Sequence, residues 1–401
     1  MVLGRFPRTI ESSEQPVHPP AMPPVALRVQ LPVGFGGFHV GVLGYPLWPG
    51  SFVLTFDCGS LTSQLARDWA ARVGREIHAC VGRVDLAVLS HTDFDHVCGI
   101  EALAKTTRID TLMLPNVTVG FRAAQAAAYA HHGKPRWYAT FLRDPVAWAA
   151  EMGVGRVVLV GGPPEQPPVE GDAEPERPPV EGAGTAAPTL TLGRTARAIG
   201  GRATEVASGD PLTVTVAHPN ARWRLVPIVA PPRDSEALES ALNKALNGAS
   251  YASVFDGLGQ RTTSSLRNML AQVYRRHWGS TNRSSIILIV APFQGDGGWV
   301  CTGDADLSSS ETRGLVRTYG ANFLPRVDAI QVPHHGSPKN FDTHAADDLL
   351  ALTRKPSLRW IVSSGRNKWN YPSASVRAAC TARGSIVETT PSSAWKDVRH
   401  F

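Results

Sequence analysis

Within the segment Ser90-His91-Thr92-Asp93-Phe94-Asp95-His96, four side chains that bind hard or borderline cations fall inside six positions: His91, Asp93, Asp95 and His96. Two imidazoles and two carboxylates held this close carry a large desolvation cost unless positive charge offsets it. A divalent cation, or a pair of them, is the simplest such charge. The competing expectation is a polar turn whose acids and histidines cap a helix and face water. Two later segments favour the cation. Val300-Cys301-Thr302-Gly303-Asp304-Ala305-Asp306 ends an apolar run in Gly-Asp, and Ala329-Ile330-Gln331-Val332-Pro333-His334-His335-Gly336-Ser337 ends one in two histidines.

Each donor segment follows a short apolar run, and the first follows Val84-Asp85-Leu86-Ala87-Val88-Leu89. Such runs read as buried strands. Strand ends that deliver Asp or His to their C-terminal tips are how an α/β sheet assembles a site from distant sequence.

In this order the segments resemble the metallo-β-lactamase superfamily. That resemblance implies an α/β (α+β) fold, a four-layer αβ/βα sandwich with a metal-filled groove along one edge. His-x-Asp-x-Asp-His, then Asn282-x-x-Ser285 before the apolar stretch Ile286 to Val290, then Gly303-Asp304, then Pro-His-His-Gly-Ser is similar to one branch of it. That branch is the ComEC-like soluble nuclease domain of the bacterial DNA-uptake competence protein. Phe52 to Phe56 followed by Asp57-Cys58-Gly59-Ser60 is similar to the second strand and turn of the same fold. The likeness runs from about residue 36 to about residue 375, with two insertions.

The resemblance implies two divalent ions, Zn2+ or Mn2+, bridged by Asp304. His91 and Asp93, with His218 as third ligand, would hold one ion. Asp95, His96 and one of His334 and His335 would hold the other. Adjacent residues leaving an extended strand point to opposite sides, so only one histidine of the pair is expected to ligate. His334 is assigned that role, and His335 becomes a substrate contact or proton donor beside Asp95 and Asp304 as catalytic groups. Aspartate at position 93, where the family has histidine, makes the donor set richer in oxygen and shifts preference towards manganese. Ser337, Arg366, Asn367, Lys368 and Tyr371 are the expected substrate contacts. Tyr371 stands where the family shows a histidine, and Arg366 and Lys368 can supply the missing charge. The family's Gly-Asp-Ser element is absent between residues 36 and 50, and His39 there reads as a packed strand residue.

A cation pair that lowers the pKa of water towards ~7 makes an attacking group available at neutral pH. The expected reaction is in-line attack on a phosphodiester, hence a phosphodiesterase or nuclease with a nucleic acid or nucleotide as substrate. Two other readings stand beside it. One is a hydrolase of a lactone, thioester or cyclic nucleotide; the other is an effector subunit of a larger assembly, such as a defence system, released by a partner.

Composition permits this without compelling it. With 43% apolar residues among 401 there is ample material for a core, and a net charge of +6 with pI near 9.2 suits an anionic substrate. No apolar run approaches the ~20 residues needed to span a bilayer, and the first eight residues lack the apolar centre of a signal peptide. The membrane channel of competence proteins has no counterpart in this chain. Five cysteines without a close pair argue for a reducing cytoplasm rather than a disulfide framework. Cys58, Cys98 and Cys301, each near a motif, read as small buried side chains.

Along the chain, residues 1–26 read as an irregular Pro-rich extension and 27–401 as a single domain. It carries a flexible Pro-rich loop over 161–188 and a helical insertion over 230–280. Leu61, Leu65, Ala66, Trp69, Ala70, Val73 and Ile77 fall at helical spacing. A further helix is expected from Val97, its N-terminus facing the cations. Asp144-Pro145 should open a short helix that Gly153 closes. Strands are expected over 27–33, 109–115, 156–160, 212–217 and 357–364, then a helix from Ser375 and a last strand near Ile386. The insertion should hold two helices. One carries Leu238, Leu242 and Leu246; the other carries Leu266, Met269, Leu270 and Val273 with Arg267, Arg275 and Arg276 on a solvated face. Such an insertion can serve as a lid or a partner surface.

Overall fold

The computed structural model describes residues 25–44, 50–130, 134–163, 187–216, 222–231, 235–257, 264–365 and 370–400. Mixed α/β structure with two large sheets is what it shows. Neighbour to neighbour, the first sheet runs Arg197–Gly200, Ala203–Val206, Arg156–Val160, Thr111–Pro115, Leu86–Val88, Phe52–Phe56, His39–Gly44, Val25–Gln30, Trp395–His400. The second runs Gly384–Thr389, Leu358–Ser363, Val327–Gln331, Gly298–Cys301, Ile287–Pro292, Arg222–Ile228, Leu212–Thr215, Thr189–Thr191.

Period-two alternation decides which side chains meet. Phe52, Leu54 and Phe56, with Leu86, Val88, Met113 and Val158, turn one way and pack on Trp223, Leu225, Leu288, Val290 and Trp299 of the second sheet. Val53 and Ala87, one position out of phase, turn the other way and pack on Ala66, Ala70, Val73 and Ile77 of the helix Ser63–Cys80. The far face of the second sheet does likewise: Ile287, Ile289, Val300 and Ile330 join Val316, Leu349 and Val376 from three helices. Full burial of each such side chain contributes about 1.5–3 kcal/mol.

The centre of each sheet is parallel. Phe52–Phe56, Leu86–Val88, Thr111–Pro115 and Arg156–Val160 run together in one, and Gly298–Cys301, Val327–Gln331 and Leu358–Ser363 in the other. Their C-terminal ends therefore collect Asp57, Ser90–His96, Asp304 and the His334-His335 pair. The amide of Ile286 donates to the carbonyl of Ser90 at 2.7 Å, tying the sheets together at this end.

Several elements depart from expectation. The helix expected from Val97 is broken: Phe94–Val97 and Ile100–Thr106 are separate, with Gly99 between them. Leu61 lies outside its helix and is exposed, so the buried stripe starts at Ala66. Among its described residues the insertion holds three helices, Ser235–Leu246, Tyr251–Gly257 and Ser264–Arg283, where two were expected. It belongs to the core more than to a lid, since Leu238, Leu242, Val254, Leu270 and Tyr274 pack with the first sheet's helices; Met269 is exposed. The fold does not finish at Gly384–Thr389, because Trp395–His400 crosses back to pair with Val25–Gln30. It was hidden because its half-buried residues are Trp395, Asp397 and Arg399 while the apolar Val398 is exposed, so no period-two apolar run marks it. Residues 1–24 and 164–186, including most of the Pro-rich loop, lie outside the described residues. No helix among the described residues is long and apolar enough to cross a membrane. All five cysteines are free, and Cys58, Cys98 and Cys301 are buried.

His39 is the packed strand residue expected of it, 4% exposed with its ring 5.8 Å from that of Trp299. Burial, and then the nearby Arg28 guanidinium, lower its pKa from the usual 6.5 to about 3. The unfolded chain therefore takes up a proton on this residue below 6.5 that the folded chain refuses, so folding stability falls as pH drops from 6.5 through 3. His39→Phe is expected to flatten that part of the urea-midpoint profile. An unchanged slope would show that His39 does not set it.

Candidate metal centre

Four histidines present the same nitrogen to one place, and in each the other nitrogen is engaged. His96 Nδ1 donates to Asp57 Oδ2 at 2.8 Å. His91 Nδ1 meets Ser90 Oγ at 2.9 Å; that hydroxyl donates to Asp57 Oδ2 at 2.9 Å, so it must accept from the imidazole. His335 Nδ1 lies 3.1 Å from the carbonyl of Ser363, which can only accept. His334 Nδ1 lies 2.8 Å from Asn340 Oδ1, and Asn340 is fixed by donating from Nδ2 to the carbonyl of Asp304 at 3.1 Å. In His91, His96 and His335 the Nδ1 hydrogen is thus engaged and Nε2 is turned to the site, whereas His334 Nδ1 has both an acceptor, Asn340 Oδ1, and a donor, the Asn282 amide nitrogen at 3.0 Å, beside it. This is the arrangement by which outer partners orient metal-ligating histidine.

What faces those nitrogens is Asp304. His96 Nε2 stands 3.3 Å from its Oδ1, and His334 Nε2 stands 3.7 Å from its Oδ2. The Nε2 atoms of His91 and His96 and Oδ1 of Asp304 are buried without a hydrogen-bond partner. Buried polar atoms are rarely left so, and three converging ones ask for a cation. His91, His96 and Asp304 have ligand atoms within 4.8 Å of one another, and so do Asp95, His96 and His335. The two sets share one Nε2, so His96 serves one ion. Assigned with Asp95 and His335, it leaves His91, Asp304 and Asp93 Oδ2, 3.9 Å from His91 Nε2, for a second.

Electrostatics fit a cation site. Burial alone would drive His96 towards neutrality, but Asp304 and Asp57 on either side override it and hold its pKa well above the usual range. Burial would raise Asp304, yet His334, His96 and His91 hold it well below. Burial lowers His335 to about 4, Asp304 opposing.

The polar-turn expectation fails at Asp93. This residue occupies the position before the helix Phe94–Val97, but its carboxylate caps nothing. Its Oδ1 accepts from Gln125 Nε2 at 2.6 Å and from the Tyr274 hydroxyl at 2.5 Å. Gln125 is itself aligned by Thr92, whose hydroxyl donates to Oε1 at 2.7 Å. Burial and then Asp93 raise the Tyr274 pKa well above its usual value, keeping the phenol a donor.

The strand alternation from which a single ligating histidine was expected does not extend to the pair. His334 (φ 46°, ψ 47°) and His335 (φ 58°, ψ 19°) are both left-handed, so strand alternation does not apply and both reach the site. Among the expected substrate contacts, Ser337 is buried with its hydroxyl accepting from the amide of Lys339 at 3.3 Å, a turn contact. Tyr371 lies 6.2 Å, ring to ring, from His334. His218, Arg366, Asn367 and Lys368 lie outside the described residues.

Sequence reasoning gave no role to Asp57, Gln125, Tyr274 or Asn340. Asp57 sits at φ 55°, a conformation that aspartate tolerates better than most residues. Its carboxylate also accepts from the amide of Ser90 at 2.7 Å. The loop it opens lies against the ligand segment so closely that a Cβ on Gly59 would stand 2.1 Å from the carbonyl oxygen of Asp95. Gln125 left a signal, one amide in the alanine-rich run Ala123-Ala124-Gln125-Ala126-Ala127-Ala128.

No family model matches this chain, and no curated protein matches it.

Proposed function

We propose that this protein is a metal-dependent hydrolase of phosphodiesters, a nuclease or nucleotide phosphodiesterase, on a four-layer αβ/βα sandwich of metallo-β-lactamase type. The supporting observation is the convergence of unpartnered His91 Nε2, His96 Nε2 and Asp304 Oδ1 in a buried site where Nδ1 of His91, of His96 and of His335 each meets an acceptor. One ion would be held by Asp95, His96 and His335, the other by His91 and Asp93, with Asp304 between them. Divalent cations there supply water of lowered pKa and positive charge against phosphoryl oxygens. Asp57, through Ser90 and His96, fixes the donors of both sets. Gln125 and Tyr274 occupy Oδ1 of Asp93 and leave Oδ2 to the site. Oxygen from Asp93, Asp95 and Asp304 favours manganese alongside zinc.

The test is direct. Protein stripped with chelator and reloaded with manganese or zinc should bind at least one equivalent. It should then cleave one or more of single-stranded DNA, duplex DNA, RNA and bis(p-nitrophenyl) phosphate, and chelator should stop cleavage. Less than one equivalent after loading would remove the proposal.

A further inference from the structure

Beside His91 and Asp93 lies a partly open cavity of about 370 Å³. It lies where the ends of Thr111–Pro115 and Arg156–Val160 from one sheet approach the segment after Arg222–Ile228 from the other, under the helix Ser235–Leu246. Val117, Phe121, Val160 and Leu238 give it an apolar wall. Its charged lining is Asp93, Glu236 and Glu239, the last two exposed, and among the described residues no lysine or arginine lines it.

We infer that this cavity binds the non-reacting part of a small substrate, a largely apolar group of about the size of two fused or linked rings, neutral or cationic. The volume falls in the range of small-molecule pockets. A polynucleotide would bring a phosphate at every residue and needs lysine or arginine along its track. Among the described residues three carboxylates and no cation line the space, which disfavours a second negative charge and accepts an amine or an uncharged ring. The cavity touches the cation site through His91 and Asp93 alone, which places the scissile group at its inner end and the remainder of the molecule against Phe121 and Leu238. The substrate assignment rests on the hydrolase reading above; the cavity and its charge preference do not.

N-phenyl-1-naphthylamine, a neutral ring pair whose fluorescence rises in apolar surroundings, tests this on the metal-free full chain. One equivalent should bind, at least about tenfold more tightly than 8-anilinonaphthalene-1-sulfonate, which adds a negative charge to similar rings; tenfold is 1.4 kcal/mol. Leu238→Trp and, separately, Val117→Trp should weaken the neutral dye by about tenfold or more by filling the space. Glu236→Lys combined with Glu239→Lys should bring the two dyes within about threefold. No stoichiometric binding of the neutral dye, indifference to both tryptophan variants, or equal affinity for the anionic dye in the unaltered protein would each overturn the inference. Because no turnover is read, dye binding without metal-dependent cleavage would sink the hydrolase reading and leave the cavity assignment standing.

Discussion

Asp304→Asn is expected to lower metal-dependent phosphodiester cleavage on the order of a thousandfold, with bound metal falling below one equivalent. Asp304 carries the only carboxylate that faces both His96 Nε2, at 3.3 Å, and His334 Nε2, at 3.7 Å, among the described residues. An amide keeps the shape but loses the charge that offsets a divalent ion, and its NH2 would turn a donor on cation or imidazole. Removing a single preorganised electrostatic contact already costs about 10²–10³ in rate, and loss of the cation removes the lowered water pKa as well. The fold should survive, because the link from Asn340 Nδ2 runs to the backbone carbonyl of Asp304 and not to its side chain. Elemental analysis beside a chelator-reversible cleavage assay measures both quantities. An asparagine variant with full activity would mean that the converging donors do not build the reacting site.

Arg28→Ala should cost about 3 kcal/mol of stability, read as a lower urea midpoint. Arg28 is fully buried at the far side of the sheet pair, on Val25–Gln30 of the first sheet. Its guanidinium reaches Asp328 at 2.9 Å and the carbonyl of Gly298 at 3.3 Å in the second sheet, and Asp397 on the strand Trp395–His400. Trp299 and Trp395 hold it at 5.6 and 5.5 Å from their ring centres. Alanine would break these contacts and leave a hole between two indoles. The carboxylates would not be stranded: Arg399 lies 3.1 Å from Asp328, and Arg359 lies 3.0 Å from Asp397. For that reason the expected loss sits at the lower end for a broken buried pair. A midpoint equal to that of the unaltered protein would show that Arg28 does not join the sheets.

Much of the scaffold was legible because period-two apolar runs and their terminal Asp and His residues are local features. Phe52 to Phe56, the runs before Ser90 and before Asp304, and the helix that Asp144 caps could all be read in this way, and Asp144 does accept from the amides of Val146 and Ala147. What could not be read depends on contacts between distant residues. Tyr274 lies 181 positions from the carboxylate it binds, and Asp57 lies 39 from His96. Nothing in either local sequence marks the partner. The His334-His335 geometry was misjudged for a different reason: alternation holds only while the chain stays extended, as it does through Val332 (φ −77°, ψ 125°), and both histidines lie beyond that point with positive φ. Trp395–His400 was missed because its half-buried Asp397 and Arg399 are held by ion pairs with the distant Arg28 and Asp328, which the local sequence does not mark.

Two consecutive histidines with positive φ also separate what the backbone favours from what the chemistry requires. A left-handed conformation costs a side-chain-bearing residue about 1–2 kcal/mol, and glycine almost nothing. A library screened for thermal tolerance alone should therefore drift at positions 334 and 335 towards glycine or asparagine, shedding imidazoles as it gains degrees. A screen for cleavage should hold both histidines against that pull, and comparing the survivors of the two selections would reveal which positions the molecule keeps at its own structural expense.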